Sequence, residues 1–184
     1  MLEDKKRWNE KYSEGLTSQK LSNIIEKYIS HANVGQAVDV ACGVGKDTHY
    51  LTDLGFLVDA VDISDVALSK VKNSATINKI DADLDKYNLT PNKYDLIVNI
   101  NYLNRRLVSQ MKEALKSGGV IIFETFLVAH GDFKQPTTNL DYLLRKNELL
   151  HSFIGLDIIY YEEKIYVDDN GLRVKKASLV AKKG

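Results

Sequence analysis

The sequence has few of the residues that build disulfide frameworks, flexible linkers or membrane spans. Its 184 residues include one cysteine and two prolines. A single cysteine cannot form an internal disulfide, so this is not the composition of a secreted, disulfide-dependent scaffold. The apolar runs, such as 120–123, are far shorter than the about 20 residues of a membrane-spanning helix. Because the N-terminus also lacks an apolar signal segment, we expect a cytoplasmic protein without membrane spans.

A surplus of charge of either sign is absent as well. Lys plus Arg and Asp plus Glu each number 25, which gives a formal net charge of zero. Proteins that bind nucleic-acid phosphates need an excess of basic residues, so this balance argues against a generic nucleic-acid-binding surface. The chain contains neither an internal repeat nor a Ser/Gly-rich linker, and its length predicts one domain over residues 1–184.

From residue 37 onward, short apolar runs alternate with amphipathic segments of helical length. Strands are predicted over 37–41, 56–61, 75–80, 96–100 and 120–125, and helices over 18–30, 46–54, 64–74 and 103–116. Strands separated by helices are typical of βαβ units, in which a mainly parallel sheet carries helices on both faces. The pattern therefore predicts a doubly wound, Rossmann-like α/β fold.

The C-terminal part departs from this alternation. A helical stretch over 140–153 precedes two β-rich runs, 156–167 and 172–181, which flank Asp168-Asp169-Asn170-Gly171. Asn-Gly between β-rich segments indicates a hairpin, because a type I′ turn needs positive φ at both central residues. We therefore expect an antiparallel C-terminal hairpin to complete the parallel sheet.

The most informative local pattern is a strand that runs into a Gly-x-Gly turn and then into a helix. Asp39 lies near the end of this strand, and Gly43 and Gly45 form the turn. Small residues allow a ligand to approach the backbone, and the N–H groups at the helix start are free to bind it. Asp62, at the end of the second predicted strand, offers two acceptor oxygens to the hydroxyls of a ribose. The alternative is a tight turn beside a solvated aspartate, with no ligand.

Two common nucleotide-binding patterns fit these residues poorly. A dinucleotide site has a third glycine where this sequence has Thr48, and an acid such as Asp39 is poorly suited to a pyrophosphate. The Walker A pattern is absent too, because Gly-Val-Gly-Lys-Asp lacks its spacing and its hydroxyl residue. The acid at the strand end suits a ligand with an ammonium group. The expected ligand is therefore adenosine-like and cationic at one end.

These motifs resemble those of the class I S-adenosylmethionine-dependent methyltransferases. Asp39-x-Ala41-Cys42-Gly43-x-Gly45 resembles the first family motif, with Ala41 at the position of its first glycine. Asp62-Ile63-Ser64 resembles the ribose-binding motif, and Asp83-Leu84 falls where the family contacts adenine. Segments 94–98 and 115–119 resemble the fourth strand and the entry to the fifth, with Ser117 replacing a proline.

The resemblance implies S-adenosyl-L-methionine as cofactor and a sheet of strand order 3-2-1-4-5-7-6. It implies a cofactor-binding set of Asp39, Ala41, Gly43, Gly45, Asp62, Ile63, Asp83, Leu84 and Asn99. It also divides the domain into an N-terminal lid and helix over 1–30, a cofactor-binding core over 36–126, and an acceptor-side segment with the hairpin over 127–184.

The N-terminal segment narrows the resemblance to small methyltransferases of the tellurite-resistance and thiopurine type. Trp8-Asn9-Glu10-Lys11-Tyr12 resembles their W-x-x-x-Y element, whose aromatics cover the cofactor. A ring face near a sulfonium gains a cation–π contribution of about 0.5–2 kcal/mol. Because residues 1–14 show balanced charge and no apolar periodicity, we expect them to be ordered only over bound cofactor. The alternative is that Trp8 and Tyr12 merely anchor the first helix.

The implied reaction is methyl transfer to an acceptor by in-line displacement, in which positioning supplies most of the rate. No metal site and no catalytic triad are expected, and no single catalytic residue is assigned. Tyr12, Tyr102, Arg106 and His130 are the acceptor-side candidates, with His130 available as a general base. A small-molecule acceptor is favoured, because the chain has no added recognition domain and no basic excess. A non-catalytic binding subunit and an NAD-binding oxidoreductase are the alternatives.

Overall fold

A central sheet of seven strands runs through the protein. A computed structural model describes residues 2–15, 21–129, 131, 133–167 and 171–184. The strands are β1 (Gln36–Val40), β2 (Leu57–Asp62), β3 (Ile77–Asp81), β4 (Tyr94–Ile100), β5 (Leu115–Phe126), β6 (Asp157–Val167) and β7 (Arg173–Lys182). Their order is β3-β2-β1-β4-β5-β7-β6, with β1 to β5 parallel and β7 antiparallel to both neighbours. The predicted fold class and strand order are therefore confirmed.

Helices cover both faces of this sheet. The described residues form α1 (Leu2–Ser13), α2 (Asn23–Tyr28), α3 (Lys46–Asp53), α4 (Asp65–Lys70), α5 (Arg105–Ala114) and α6 (Glu148–Phe153). The Ser64 hydroxyl accepts a hydrogen bond from the Ala67 N–H at 3.0 Å and so caps α4, as the sequence predicted. No helix within the described part of the chain is long and apolar enough to cross a membrane.

The core consists of two apolar layers, one on each side of the sheet. Val38 of β1 packs with Leu107 of α5 in one layer, whereas its neighbour Ala37 packs with Leu51 of α3 in the other. Burial on both faces is typical of parallel strands that helices cover. Because helices cover both faces, a ligand can bind to the sheet at the carboxyl ends of the strands.

Two helices end earlier than the sequence indicated. The helix predicted over 64–74 ends at Lys70, because Val71 is extended and buried against Gly45. The helix predicted to residue 116 ends at Ala114, because Leu115 already pairs with Tyr94 in the sheet. In both cases a buried apolar side chain fits the core only when the backbone leaves the helix.

The segment before the hairpin is also less helical than predicted. The stretch expected over 140–153 divides into a 3₁₀ turn (Leu140–Tyr142) and α6, because Leu144 forms a β-bridge with Leu127. The helix predicted over 18–30 is observed as α2 followed by a 3₁₀ turn (Ile29–His31), and residues 16–20 lie outside the described residues. The hairpin is present, with Val167 paired to Arg173, although turn residues 168–170 are not among those described.

Candidate functional site

The predicted nucleotide site lies in the turn between β1 and α3. Ala41, Gly43 and Gly45 all have left-handed backbone, with φ of 56°, 56° and 76°. Left-handed backbone costs a residue with a Cβ about 1–2 kcal/mol, which explains why a glycine suits position 41. The Cys42 N–H donates to the carbonyl of Val61 at 3.0 Å and joins the start of the turn to β2.

Tyr12 of α1 covers this turn. A Cβ added to Gly43 would lie 2.6 Å from the Tyr12 hydroxyl, so the close approach of the two residues requires glycine. Tyr12 is buried, and the ring of Trp8 lies 5.9 Å from its ring between centroids. The two aromatics predicted to cover the cofactor therefore lie together, one of them directly on the glycine turn.

Polar contacts hold α1 in this position. The side chain of Asn9 accepts a hydrogen bond from the Ser64 hydroxyl at 2.6 Å and donates one to Asp65 at 2.8 Å. Lys5 forms an ion pair with Asp81 at 2.7 Å. The structure describes α1 as a helix docked against the start of α4 and the end of β3, and the expectation that residues 1–14 are ordered only over bound cofactor stays a prediction. Isolated polar residues such as Asn9 form no periodic pattern, so their docking role could not be inferred from sequence.

Asp62 connects three segments of the site. Its carboxylate accepts hydrogen bonds from the backbone N–H groups of Gly43 and Ser64, each at 2.8 Å. Its own backbone carbonyl accepts from the Ala82 N–H at 3.0 Å, next to Asp83. Asp62 therefore shapes the glycine turn, the start of α4 and the approach to the predicted adenine contact.

Three buried carboxylates surround the glycine turn. Asp39 faces α3, where the Thr48 hydroxyl donates to it at 2.6 Å. Burial, reinforced by the negative charges of Asp47 and Asp62, raises the pKa of Asp39 to about 8. Burial also raises the pKa of Asp47 and that of Asp62. Since the ionised forms repel one another in a poorly solvated place, a cation bound here would relieve the repulsion.

The segment predicted to contact adenine follows β3. Asp83 accepts a hydrogen bond from the Asp85 N–H at 3.0 Å, and Leu84 is buried. The guanidinium of Arg106 donates to the carbonyls of Leu84 and Tyr87. Arg106 therefore holds this segment in place, and its assignment to the acceptor side stays a prediction.

Asn99 supplies an unsatisfied hydrogen-bond acceptor at the end of β4. Its side chain is fully buried and donates to the carbonyl of Tyr102 at 2.7 Å. Within the described residues, its Oδ1 has no hydrogen-bond partner. A buried acceptor without a donor is unfavourable, so this atom is suited to a ligand N–H or O–H group. The orphaned acceptor, the carboxylate cluster and the tight glycine turn together fit a cationic nucleoside.

Of the other acceptor-side candidates, the structure describes Tyr102 but not His130. Burial raises the pKa of Tyr102 to about 12, and its hydroxyl lies 3.4 Å from the Asn104 amide, close to the adenine segment. His130 lies outside the described residues. A cavity between α2, β5 and the hairpin was not predicted at all. Its walls come from separate parts of the chain, so no local motif marks it.

Comparison with known proteins gives consistent results. Residues 37–119 match a family described as a methyltransferase domain. The chain is 26% identical over 166 residues to a probable S-adenosyl-L-methionine-dependent methyltransferase, TehB, of Haemophilus influenzae, with 80% of this chain and 57% of the relative covered. The chain therefore spans little more than half the length of this curated relative.

Two solved structures are similar in fold. The crystal structure of TehB from Haemophilus influenzae has a TM-score of 0.76 at 21% identity and covers 96% of this chain and 67% of that chain. A phosphoethanolamine N-methyltransferase 2 from Haemonchus contortus, in complex with phosphomonomethylethanolamine and S-adenosylhomocysteine, has a TM-score of 0.68 at 15% identity, with 87% and 51% covered. At these identities the likeness concerns the fold.

Proposed function

We propose that the protein is a class I S-adenosylmethionine-dependent methyltransferase that transfers a methyl group from S-adenosyl-L-methionine to a small-molecule acceptor. The match of residues 37–119 to a methyltransferase-domain family supports this proposal. The observation that supports this best is the buried carboxylate cluster of Asp39, Asp47 and Asp62. S-adenosylmethionine has a sulfonium and an ammonium group, both of which suit such a cluster. The pyrophosphate of NAD would instead meet electrostatic repulsion there, which disfavours an oxidoreductase.

The carboxylate of Asp62 retains the capacity to bind a ribose. Each of its oxygens accepts one backbone hydrogen bond, from Gly43 or Ser64, and each has a second lone pair. We therefore assign the two remaining positions to the two ribose hydroxyls. Asp83 and the backbone of Leu84 would take the adenine edge, while the Oδ1 of Asn99 accepts from the cofactor. The backbone of Ala41, Gly43, Gly45 and Ile63 completes the set.

Positioning is the main chemical task of the protein in this proposal. When bound, the cofactor supplies a methyl group on a positively charged sulfur, which is an activated leaving group. Asp39 orients the cationic end, and Trp8 and Tyr12 cover the site and exclude water. Such orientation favours an in-line displacement and requires no metal and no catalytic triad. A soft acceptor atom needs no general base.

Cofactor binding tests the proposal directly. S-adenosylhomocysteine should raise the melting temperature in a concentration-dependent way, since a ligand at 100 times its Kd stabilises the folded state by about 2.7 kcal/mol. NAD at the same concentration should leave it unchanged. A folded protein with no shift at saturating S-adenosylhomocysteine would overturn the proposal. Turnover of S-adenosylmethionine with a panel of small acceptors then separates an enzyme from a non-catalytic binding subunit.

A further inference from the structure

Two buried polar groups at the carboxyl ends of β4 and β5 have no hydrogen-bond partner within the described residues. They are the Oδ1 of Asn99 and the hydroxyl of Thr125. Asn99 is fully buried, and Thr125 is 1% exposed. Since an unsatisfied buried polar group is unfavourable, two of them at one end of the sheet indicate a place where a polar ligand group binds.

The two groups lie on the same face of the sheet, on neighbouring strands. Asn99 pairs with Phe123 in the register of β4 and β5, and Thr125 follows Phe123 by two positions. Side chains two positions apart on a strand point to the same face. Phe123 and Ile97, which precedes Asn99 by two positions, both belong to the apolar layer of α5. Strand spacing and rise place the Cα atoms of Asn99 and Thr125 about 8 Å apart, so one ligand group can contact both side chains.

The hydrogen-bond donors of the proposed cofactor identify this ligand group by elimination. S-adenosylmethionine has three kinds of donor: the adenine amine, the ribose hydroxyls and the ammonium of its amino-acid end. The proposed function assigns the first to Asp83 and the second to Asp62, which leaves the ammonium for the Oδ1 of Asn99. Asn99 also pairs with Val40 of β1, one residue before Ala41 of the glycine turn. A cofactor bound on that turn can therefore bring its ammonium to Asn99.

An ammonium has three N–H groups, so a single acceptor does not satisfy it. The hydroxyl oxygen of Thr125 has two lone pairs and supplies a second acceptor. The positive charge is balanced by the buried carboxylate cluster, which would repel the carboxylate of the same amino-acid end. The pair of Asn99 and Thr125 therefore suits the ammonium better than the carboxylate.

We propose that Thr125 is a further cofactor-binding residue, whose hydroxyl and the Oδ1 of Asn99 together hold the ammonium of S-adenosylmethionine. The inference rests on the proposed function, because it concerns the same cofactor. It gives the amino-acid end its own acceptors, separate from those proposed for the ribose and the adenine. It also extends the cofactor site from β4 to β5.

The turn after β4 controls access to this place. The Asn99 amide donates to the carbonyl of Tyr102 at 2.7 Å, and Asn101 has left-handed backbone with φ of 59°. Leu103, the next residue of the turn, packs in the same apolar layer as Phe123. Because both unsatisfied atoms are buried in the free protein, the ammonium reaches them when this turn moves outward.

Matched ligands test which group binds to Thr125. Titration calorimetry with the full chain compares S-adenosylhomocysteine with its analogue without the amino group and with 5′-deoxy-5′-methylthioadenosine, which lacks the whole amino-acid end. Thr125→Val removes the hydroxyl and keeps the shape of the side chain. It should bind S-adenosylhomocysteine at least about tenfold more weakly, because a hydrogen bond to a charged group is lost. It should bind the other two ligands as the wild-type protein does.

Two further variants separate binding from folding. Thr125→Ser keeps the hydroxyl but loses a buried methyl group, so it should retain its affinity while its melting temperature falls. Thr125→Val should melt no lower than the wild-type protein, since a methyl group replaces an unsatisfied hydroxyl. Thr52→Val on α3 is the matched control, because the Thr52 hydroxyl already donates to the carbonyl of His49 at 2.9 Å. Its affinity for S-adenosylhomocysteine should stay unchanged.

The outcomes distinguish the two proposals. If Thr125→Val binds S-adenosylhomocysteine as tightly as the wild-type protein, or loses the same affinity for the analogue without the amino group, the inference about Thr125 is wrong and the proposed function stands. If S-adenosylhomocysteine itself fails to bind the folded wild-type protein, the proposed function is wrong, and the inference that rests on it is overturned as well.

Discussion

At the scale of single residues, Asp62 has a larger role than a ribose contact alone. Its carboxylate binds the backbone N–H groups of Gly43 and Ser64, which belong to two different loops. Asp59, three positions earlier in the same strand, is also buried, but it binds Lys93 at 2.6 Å and Tyr94 at 2.7 Å, away from the site. The pair therefore allows the contribution of Asp62 to cofactor binding to be separated from its contribution to stability.

We predict that Asp62→Ala weakens S-adenosylhomocysteine binding at least about 30-fold, because charge-assisted hydrogen bonds of about 1.5–3 kcal/mol each are lost. Its free energy of unfolding should fall too, since two buried N–H groups lose their acceptor. Asp59→Ala should lower the free energy of unfolding and leave the affinity unchanged. Calorimetry and chemical denaturation measure both quantities. Unchanged affinity in folded Asp62→Ala would reassign Asp62 to a purely structural role.

A second prediction at this scale concerns Asp39 and pH. Because its pKa in the free protein is raised to about 8 by burial and by Asp47 and Asp62, Asp39 holds a proton below that pH. A cationic ligand favours the ionised form, so binding should release a proton and the affinity should rise with pH until about pH 8. Lys46 and Thr48 also face this carboxylate and favour its ionised form, which limits the size of the effect.

Calorimetry in buffers of different ionisation enthalpy measures this proton release. Asp39→Asn removes the titrating group, so its cofactor affinity should be lower and nearly independent of pH in the same range. The raised pKa also means that the free protein loses stability through this group as pH rises from the unfolded value of 3.8 towards about 8. A pH-independent affinity in the wild-type protein would contradict the assignment of Asp39 to the cationic end.

At the scale of elements, α1 is the part of the site that is least firmly attached. Polar contacts such as Lys5 with Asp81 dominate its docking, and such exposed ion pairs contribute little, about 0–1 kcal/mol. Among its described side chains, Tyr12 is the buried one. A helix held in this way can open locally at low cost in free energy. We therefore expect α1 to open and close over the site.

Hydrogen exchange tests this expectation. Exchange over residues 3–14 should slow when S-adenosylhomocysteine binds, and the fluorescence of Trp8 should change along the same binding curve. Deletion of residues 1–14 should sharply reduce turnover and leave the melting temperature of the free protein within a few degrees of its original value. If exchange is already slow without ligand and the deletion strongly destabilises the protein, α1 is a core element and not a lid.

The order of elements was predictable from sequence, whereas several boundaries were not. Alternating apolar runs and helical segments gave the parallel strands, and the Asn-Gly pair indicated the hairpin. Helix ends depend on tertiary packing: Val71 leaves α4 to pack under the glycine turn, and Leu115 leaves α5 to join the sheet. Neither residue differs in local pattern from an ordinary helical one, so propensity alone could not mark the change.

In the site, too, some features could be predicted from sequence and others could not. Motifs located the carboxylates and the glycine turn, because neighbouring residues of a strand and its following loop form them. The cavity between α2, β5 and the hairpin could not be found in that way, since Lys27, Lys46 and Lys176 come together only after the sheet has formed. The contacts of Arg106 were hidden for a related reason: a sequence does not show that a guanidinium binds the carbonyls of Leu84 and Tyr87.

At the scale of the whole molecule, the C-terminal hairpin is integral to the sheet. β7 lies between β5 and β6, so it covers the edge of the parallel strands. Its Leu179 and Val180 are fully buried, one in each apolar layer. Loss of the hairpin would expose both layers and leave one edge of β5 without a partner strand, which favours aggregation.

Truncation at the C-terminus should therefore prevent folding, whereas truncation at the N-terminus should leave the protein folded. A protein that ends at residue 155 should fail to fold or should aggregate, as judged by circular dichroism and size-exclusion chromatography. The variant that lacks residues 1–14 is the matched control and should remain folded. A soluble, cooperatively melting 1–155 fragment would show that the five parallel strands form an independent unit.

The carboxylate cluster also has a consequence for the end of the catalytic cycle. Methyl transfer turns a sulfonium into a neutral thioether, so the bound molecule loses one positive charge while Asp39, Asp47 and Asp62 remain in place. The attraction between site and ligand weakens at the moment when the product must leave. Under the proposed function, this loss of charge favours product release, while the ammonium group of S-adenosylhomocysteine still binds at Asp39. The same acids that attract the donor would then help the enzyme to turn over.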